Sequence, residues 1–465
     1  MTATEEPVRF RWILAAVSMA LFCVQIDYFA MNLALPRMAL DLKTTAPDLQ
    51  WVISVYMLAL GAFMVPAGRI GDIFGRRRAL LVGVALFGVA SVLCALAPSA
   101  TLVIVFRAVQ GVGAALIFPV SVSVLTNAFP SVRASHAIGL AYGIAGLGNA
   151  AGPLIGGLFT ETVGWRWIFW LNVPLTLAVL AIGSRSIAES FDETVPRRID
   201  LTGLALITIG IGLFTLTFDR APSWGWLSAP TVIAIAGSLV ALAVFVCVEK
   251  RVRWPLVDLT LVRNARFTVL VIAGTIANIA YGVTIFLSTM YLQEVRGLNP
   301  LTAGLVFIGP SAGAALGGLL AGRLAAGRPP VLVMGLTSVV AAVSLAALAA
   351  SYSWAVYVPA LTACGLTLGL VYAFTTVATQ AVVRTERAGE AAGVTLTALV
   401  TLAGIGVAVS ATVLEMLQRA GLSAAGAVDA IVAVLAALLL PAGVVVLWTS
   451  RSHSRTSESG AHPSD

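Results

Sequence analysis

The segment ALLVGVALFGVASVLCALA, residues 79–97, indicates the environment in which this chain folds. It contains no charged side chain, and its length is close to the about 20 apolar residues that a helix needs to cross a bilayer. Similar stretches recur along the chain, and they are too long and too evenly apolar for the strands of a membrane barrel. The sequence therefore predicts an all-α integral membrane protein with 14 transmembrane helices, near residues 12–34, 49–67, 79–97, 101–125, 135–159, 166–185, 200–219, 229–248, 267–293, 301–324, 329–349, 355–382, 390–416 and 427–449.

The composition excludes a soluble protein. Of the 465 residues, 59% are hydrophobic and only 11% are charged, and the mean hydropathy is +0.98. Soluble domains carry about 25% charged residues. The first apolar stretch is too long for the core of a signal peptide, so we expect it to be retained as a span. The four cysteines lie inside apolar stretches without close spacing, and we interpret them as packing residues.

Basic residues lie mainly on one side of the predicted membrane. With a cytoplasmic N-terminus, 21 of the 28 basic residues fall in cytoplasmic segments and six fall outside, while Arg107 lies within a span. The positive-inside rule then places both termini in the cytoplasm. The net charge of +7 follows from this topology and requires no nucleic-acid partner. Arginine outnumbers lysine strongly, which indicates a high-GC bacterial genome and thus a bacterial inner membrane.

Two charged segments, 184–200 and 249–266, divide the spans into groups of six, two and six. The residues Gly68-Arg69-Ile70-Gly71-Asp72 have a weak counterpart, without the acid, at Gly318-Leu319-Leu320-Ala321-Gly322. A weak repeat between six-helix halves is typical of transporters that rock around a midplane site. We expect an N-terminal six-helix bundle over 1–190, a two-helix insertion with cytoplasmic loops over 191–263, a C-terminal six-helix bundle over 264–449 and a disordered cytoplasmic tail over 450–465.

The loop after the second span combines glycines, an acid and arginines in the sequence Gly68-Arg69-Ile70-Gly71-Asp72-Ile73-Phe74-Gly75-Arg76-Arg77-Arg78. The arginines alone are explained as a positive-inside anchor, with glycines for a tight turn. That anchor does not explain Asp72. An acid there can pair with arginines or with a helix N-terminus in one conformation and release them in another. The candidate gate residues are therefore Gly68, Asp72, Gly75 and Arg76.

The fifth span is rich in glycine. Glycines let a neighbouring backbone approach closely, and a proline within a helix removes a hydrogen bond and favours a bend. Ordinary close packing of small residues is the alternative, but the density of glycines around a proline favours a functional bend. The residues concerned are Gly139, Gly148, Gly152, Pro153, Gly156 and Gly157.

Two charges lie inside spans. Asp27 in the first span and Arg107 in the fourth both fall roughly 10 Å below the outer boundary, at about 1.5 Å per residue. A charge inside the bilayer is costly and usually functional, so we expect the two to be partners. A fixed ion pair that only holds two helices is the alternative. Burial and a neighbouring guanidinium act on an acid's pKa in opposite directions, which allows a protonatable switch to be tuned.

Other site chemistry is not indicated. The sequence has no catalytic triad pattern, Walker loop or metal-ligand cluster, so we expect no enzyme activity, no cofactor and no metal, and an ATP-driven pump is disfavoured. Several polar residues within spans are candidates for lining a substrate cavity, although packing or interhelix hydrogen bonding is an equal alternative for each. They are Tyr28, Asn32, Gln110, Asn278, Tyr281 and Tyr372.

Several of these segments, taken in order, resemble the major facilitator superfamily. The loop from Gly68 to Arg76 is similar to that superfamily's Gly-x-Leu-x-Asp-x-x-Gly-Arg element, and Arg107 to Gly113 is similar to its Arg-x-x-Gln-Gly-x-Gly element. The glycine spacing of the fifth span resembles that of antiporters. The resemblance to the fourteen-helix drug:proton antiporter branch lies in residues 27–36, 165–174 and 291–293. One departure is Phe29, where the branch commonly has Thr.

The resemblance implies a major facilitator fold of two six-helix bundles with two inserted helices. It also implies a monomeric exporter of small lipophilic compounds, driven by protons, with a fifth helix that seals the cavity. Asp27 would bind substrate, or its charge, on one side of the membrane and a proton on the other. Because we place only this acid well inside a span, we expect neutral or singly cationic substrates. The alternatives are an exporter of a self-made antibiotic or lipid, and an uptake symporter or membrane sensor, which the fifth span disfavours.

Overall fold

The computed structural model describes residues 5–44, 49, 51–193, 200–253, 255–257, 259–298, 300–325, 328–351 and 353–458. Within these ranges, 14 helices are long and apolar enough to cross a membrane, which confirms the predicted number. A short helix, Leu259–Arg263, precedes the ninth of them, a π-helical turn at Tyr291–Val295 follows it, and a 3-10 turn at Thr385–Arg387 precedes the thirteenth.

We number the fourteen long helices α1 to α14. The first six are α1 (Glu5–Asp41), α2 (Trp51–Phe74), α3 (Arg76–Leu96), α4 (Ala100–Ala128), α5 (Ser131–Thr162) and α6 (Arg166–Ser186). The inserted pair is α7 (Leu201–Trp224) and α8 (Ala229–Glu249). The last six are α9 (Ala265–Met290), α10 (Pro300–Ala325), α11 (Pro330–Ala349), α12 (Trp354–Ala381), α13 (Ala388–Arg419) and α14 (Ala424–Glu458).

Helix ends differ from the predicted span ends. Helix α1 continues to Asp41, and α14 continues to Glu458, into the segment that we predicted to be a disordered tail. The remaining predicted tail, 459–465, lies outside the described residues. Hydropathy marks the part of a helix within the hydrocarbon, whereas backbone hydrogen bonding continues into the interface. Apolar length therefore predicts the number of spans better than it predicts their ends.

Small residues set the spacing of the helices. A Cβ on Gly113 of α4 would lie 2.8 Å from the Phe87 nitrogen of α3, and one on Gly365 of α12 would fall on the Pro310 backbone of α10. Lipid provides little hydrophobic drive for helix association, so close backbone approach and van der Waals contact take its place. Positions of this kind therefore have little room for any side chain.

The two bundles contact each other through glycines near the predicted cytoplasmic ends of their helices. Gly68 of α2 lies against the Gly389 carbonyl of α13, and a Cβ on Gly143 of α5 would lie 2.6 Å from the Leu319 nitrogen of α10. Farther out on α5, Gly152 instead packs on Phe29 of α1, within its own bundle. The bundles are thus closed against each other on the predicted cytoplasmic side.

The inserted helices lie beside the contact between the bundles. A Cβ on Gly61 of α2 would have Thr401 of α13 at 3.0 Å and Thr215 of α7 at 3.8 Å. Ser238 of α8 donates a hydrogen bond to the Gly210 carbonyl of α7 (2.8 Å) and holds the pair together. Helix α7 therefore covers the seam between α2 and α13.

Replacing Gly365 with Ala should destabilise the fold, because the added Cβ overlaps the Pro310 backbone. Overpacking of this kind costs about 1–3 kcal/mol. We expect a thermal unfolding midpoint several degrees lower for purified Gly365→Ala than for Gly304→Ala, whose added Cβ has no neighbour within 4 Å. Equal midpoints would show that α10 and α12 separate easily.

Candidate functional site

Asp27 of α1 and Arg107 of α4 form a buried ion pair. Asp27 Oδ2 and Arg107 Nη1 lie 2.5 Å apart, and neither side chain is exposed. The structure thus brings together the two charges that we predicted to be partners from their similar depth in the membrane. An ion pair this deep requires further hydrogen bonds to offset the cost of removing both groups from water.

The second carboxylate oxygen of Asp27 is also occupied. Oδ1 accepts hydrogen bonds from Asn172 of α6 (2.7 Å) and Gln110 of α4 (3.1 Å). The Gln110 amide donates in addition to Ser91 of α3 (2.8 Å), and its carbonyl oxygen accepts from Arg107 (2.8 Å). Helices α1, α3, α4 and α6 therefore meet in one polar network, and its donors suit an ionised carboxylate.

Helix α2 holds the guanidinium from the other side. Arg107 Nε donates to the Val52 carbonyl (3.1 Å), and the guanidinium carbon lies 4.0 Å from the centre of the Tyr56 ring. The Arg107 Nη2 atom is buried and has no hydrogen-bond partner in the part of the chain that the structure describes. Tyr56 also stacks on Tyr28 of α1, with ring centres 6.2 Å apart. The described contacts of the pair come from the N-terminal bundle.

Sequence reasoning missed three members of this network: Ser91, Asn172 and Tyr56. Asn172 lies in a segment that we had quoted only for its resemblance, and its uncharged amide gave no reason to expect a site. Ser91 is one hydroxyl in an otherwise apolar helix, so its sequence context carries no signal. Gln110 was expected to line a cavity, whereas the structure buries it completely beside Asp27.

Asp72 of α2 connects the two bundles on the predicted cytoplasmic side. Its carboxylate accepts from Arg76 Nε (2.9 Å) and from Ser123 of α4 (3.1 Å). It also accepts from the backbone nitrogens of Glu390 (2.9 Å) and Gly389 (3.3 Å), in the first turn of α13. The first N–H groups of a helix lack internal partners and carry partial positive charge. The two kinds of partner that we had predicted for Asp72 are thus bound at the same time.

Arginines extend this contact. Arg76 Nη2 donates to the Glu386 carbonyl (2.6 Å), just before α13. Arg69 of α2 lies 3.7 Å from Glu390, which also pairs with Arg387 (3.0 Å). The motif arginines therefore bridge the bundles and are not only membrane anchors.

The linker after α6 supports the same loop, which the sequence did not predict. Gly75 has φ 116°, and a Cβ there would lie 2.6 Å from the Glu189 carboxylate. Glu189 accepts from the backbone nitrogens of Arg77 (3.0 Å) and Arg78 (3.3 Å), at the start of α3. Gly75 is thus needed both for its left-handed backbone and for the room that Glu189 occupies.

The glycines of α5 pack against two different helices. Gly139 packs on Gly322 of α10, while Gly148 and Gly156 pack on α1. The helix continues without interruption through Pro153. The side chains of Pro153 and Asn32 lie outside the described residues.

The other residues that we predicted to line a substrate cavity lie in different parts of the structure. Tyr372 of α12 meets Tyr142 of α5 edge to face, with centres 5.5 Å apart, across the two bundles. Asn278 of α9 donates to the Leu399 carbonyl of α13 (2.8 Å), an interhelix hydrogen bond. Tyr281 packs against the core of the C-terminal bundle. Among them, Tyr28 lies nearest to the ion pair.

Asp41 is an ionisable group outside the membrane-spanning segments. Asp41, at the end of α1, accepts hydrogen bonds from Trp165 (3.0 Å) and Arg166 (2.8 Å). These bonds lower the pKa of Asp41, so it is ionised at physiological pH.

In the described residues, no group of three or more His, Cys, Asp or Glu side chains is placed to hold a metal.

Curated relatives are efflux proteins. The chain is 34% identical to the multidrug resistance protein Stp of Mycobacterium tuberculosis over 388 residues, which are 82% of this chain and 71% of Stp. It is 33% identical to the tetracenomycin C resistance and export protein of Streptomyces glaucescens, over 70% of this chain and 61% of that protein. Similarity to the multidrug efflux pump LfrA of Mycolicibacterium smegmatis is 35% identity, over 66% of this chain and 60% of LfrA. The match thus spans less than two thirds of the last two proteins.

Solved structures of low sequence identity share the fold. The human organic anion transporter MFSD10 superposes with a TM-score of 0.67 at 13% identity, over 94% of this chain and 99% of that one. The proton:xylose symporter XylE superposes with a TM-score of 0.62 at 14% identity, over 96% of each chain. The family model of the Major Facilitator Superfamily matches residues 17–408. This chain therefore belongs to the Major Facilitator Superfamily.

Proposed function

We propose that this chain is a proton-coupled antiporter that exports lipophilic neutral or monocationic compounds from the bacterial cytoplasm. The observation that carries the proposal is the Asp27–Arg107 pair, buried within the bilayer among hydrogen-bond donors. Efflux by the relatives agrees with the direction of transport. A proton is the coupling ion in this proposal because Asp27 is a group that can exchange it at the depth of a central site.

Protonation of Asp27 changes what holds its helices together. The ionised carboxylate binds Arg107, Gln110 and Asn172 at once. A proton on Asp27 removes the charge that attracts the guanidinium, and it adds a donor where the neighbours offer donors. Protonation therefore loosens α1 from α4 and α6, and a cationic or hydrogen-bonding substrate competes with the proton for the same carboxylate.

The Asp72 contact is the proposed gate of this cycle. It holds α2 against the first turn of α13, which keeps the cytoplasmic side closed. Opening toward the cytoplasm requires these hydrogen bonds and the Arg76–Glu386 contact to break together. Substrate then reaches the central site from inside, and the reverse motion exposes it to the outside.

A second candidate function is export of a self-made compound. The tetracenomycin relative is named for both resistance and export, so a foreign and an endogenous substrate are both compatible with this fold. The geometry of Asp27 serves either substrate. A biosynthetic cluster beside the gene would favour the endogenous compound, and a drug-responsive repressor would favour the foreign one.

Asp27→Asn should reduce proton-driven export to background while the protein stays folded. The amide keeps the volume of the carboxyl group but does not exchange a proton, and Arg107 retains Gln110 and Val52 as acceptors. Proteoliposomes with an imposed pH gradient measure export directly. Asp41→Asn is the matched control at the membrane surface and should transport normally. Gradient-driven export by a well-folded Asp27→Asn protein would rule out Asp27 as the coupling group.

Asp72→Asn should increase the population that is open on the cytoplasmic side. The substitution removes the charge that attracts Arg76 and the start of α13. Spin labels introduced through Arg78→Cys and Arg384→Cys, in a Cys247→Ser background, report the distance between the bundles, because both arginines are exposed. Glu386→Gln is the control, because it leaves Asp72 and the Glu386 carbonyl in place and changes a side chain whose described ion pair is with the already replaced Arg384. An unchanged distance distribution would return Asp72 to a purely structural role.

Charge selectivity follows from the groups at the site. With Asp27 ionised beside Arg107 the local charge is zero, and a second positive charge on a substrate has no carboxylate to compensate the loss of its hydration. We expect tetraphenylphosphonium, a monovalent cation, to be exported much faster than a divalent aromatic cation of similar size. Proton-coupled export of the divalent compound at an equal rate would require another acid at the cavity.

A further inference from the structure

The outer end of the inserted helix α7 carries two adjacent charges, Asp219 and Arg220, that the proposed cycle does not use. Helix α7 covers the seam between α2 and α13 from Gly61 outward. Beyond Asp219, the Trp226 indole nitrogen donates to Thr412 of α13 (3.0 Å). The pair thus lies in a wall that α7 adds between one helix of each bundle.

Arg220 is an unsatisfied hydrogen-bond donor. Only 9% of the residue is exposed, and its guanidinium lies over the Trp51 ring of α2, 3.6 Å from the ring centre. Among the described residues, its Nε and Nη2 atoms are buried without a hydrogen-bond partner. Nε is 3.2 Å from Asp219 Oδ2, but the two are not aligned as a hydrogen bond. Burying such donors without an acceptor is costly, so an acceptor from a ligand would be favoured there.

Asp219 restricts which acceptor fits. It accepts a hydrogen bond from Ser54 of α2 (3.0 Å), and its own side chain is 30% exposed. The Asp219 carboxylate already neutralises the charge of Arg220, and it would repel a second anion placed beside it. A neutral oxygen, such as a ketone or quinone carbonyl, can accept from the guanidinium without that repulsion.

The same part of α2 also reaches the central ion pair. The Val52 carbonyl accepts from Arg107, while Trp51 and Ser54 contact the α7 pair. Each arginine therefore lies over an aromatic ring of α2, Arg107 over Tyr56 and Arg220 over Trp51. Flat aromatic molecules suit such surfaces.

We propose that Arg220, held on Trp51, is a substrate-binding residue that donates hydrogen bonds to a carbonyl oxygen of planar aromatic substrates. The inserted helices thereby contribute to substrate specificity. This inference rests on the proposed export function, since it names the class of compound that Arg220 would select.

Equilibrium dialysis with the purified full-length protein tests the contact without a proton gradient. The probes are 2-(aminomethyl)anthraquinone and 2-(aminomethyl)anthracene, which share three fused rings and one ammonium group and differ in the two carbonyls. We expect wild type to prefer the quinone, and Arg220→Met to weaken quinone binding about tenfold while anthracene binding changes less than about twofold. Arg220→Lys should restore part of the preference.

Two control variants separate a binding role from a structural one. Arg296→Met removes an arginine beside Tyr291 and Trp354 in the other bundle, and it should leave both affinities unchanged. Asp219→Asn leaves Arg220 on Trp51 and should keep the quinone preference. Equal loss of both probes in Arg220→Met, or no preference in wild type, would overturn the proposal. Loss of gradient-driven export in vesicles with the preference intact would contradict the proposed function instead.

Discussion

The structure depends on one constraint, that a charge within the bilayer needs a partner. Asp27 and Arg107 pair at 2.5 Å, and groups of α2, α4 and α6 add further hydrogen bonds to the two side chains. The cost of burying either charge alone, about 3–5 kcal/mol when a buried pair is broken, keeps these helices in register. The pair is therefore a structural centre of the N-terminal bundle, and a proton on Asp27 would remove the ionic attraction between its two members.

Two helices connect this centre to the contact between the bundles. Helix α4 carries Arg107 toward one end and Ser123, a partner of Asp72, toward the other. Helix α2 likewise carries Val52 near the ion pair and Asp72 at the start of α13. In the proposed cycle, a displacement of these helices at Asp27 would therefore reach the proposed gate at Asp72 without a separate relay. The inserted helix α7 packs along α2 and α13, so it is placed to sense the same displacement.

Much of this arrangement follows from the sequence, and the exceptions have physical causes. The number of spans is a consequence of apolar length, and the pairing of Asp27 with Arg107 is a consequence of two charges at equal depth. Asn172 and Ser91 were missed because neutral polar groups give no comparable signal in a helix. Gly389 and Glu390 were missed as partners of Asp72 because they lie more than 300 residues away, and only the approach of α2 to α13 brings them together. Helix α14 extends past the predicted end of the last span because a polar composition does not by itself end a helix.

In the proposed cycle, proton and substrate exchange at one group, Asp27. The most direct test is proton release when substrate binds to the purified protein in weakly buffered solution, followed with a pH indicator at a pH where the apo protein is partly protonated. The account predicts that wild type releases up to one proton per bound substrate and that Asp27→Asn, which still binds a neutral substrate, releases none. Undiminished release from Asp27→Asn, or none from wild type across the pH range, would contradict it.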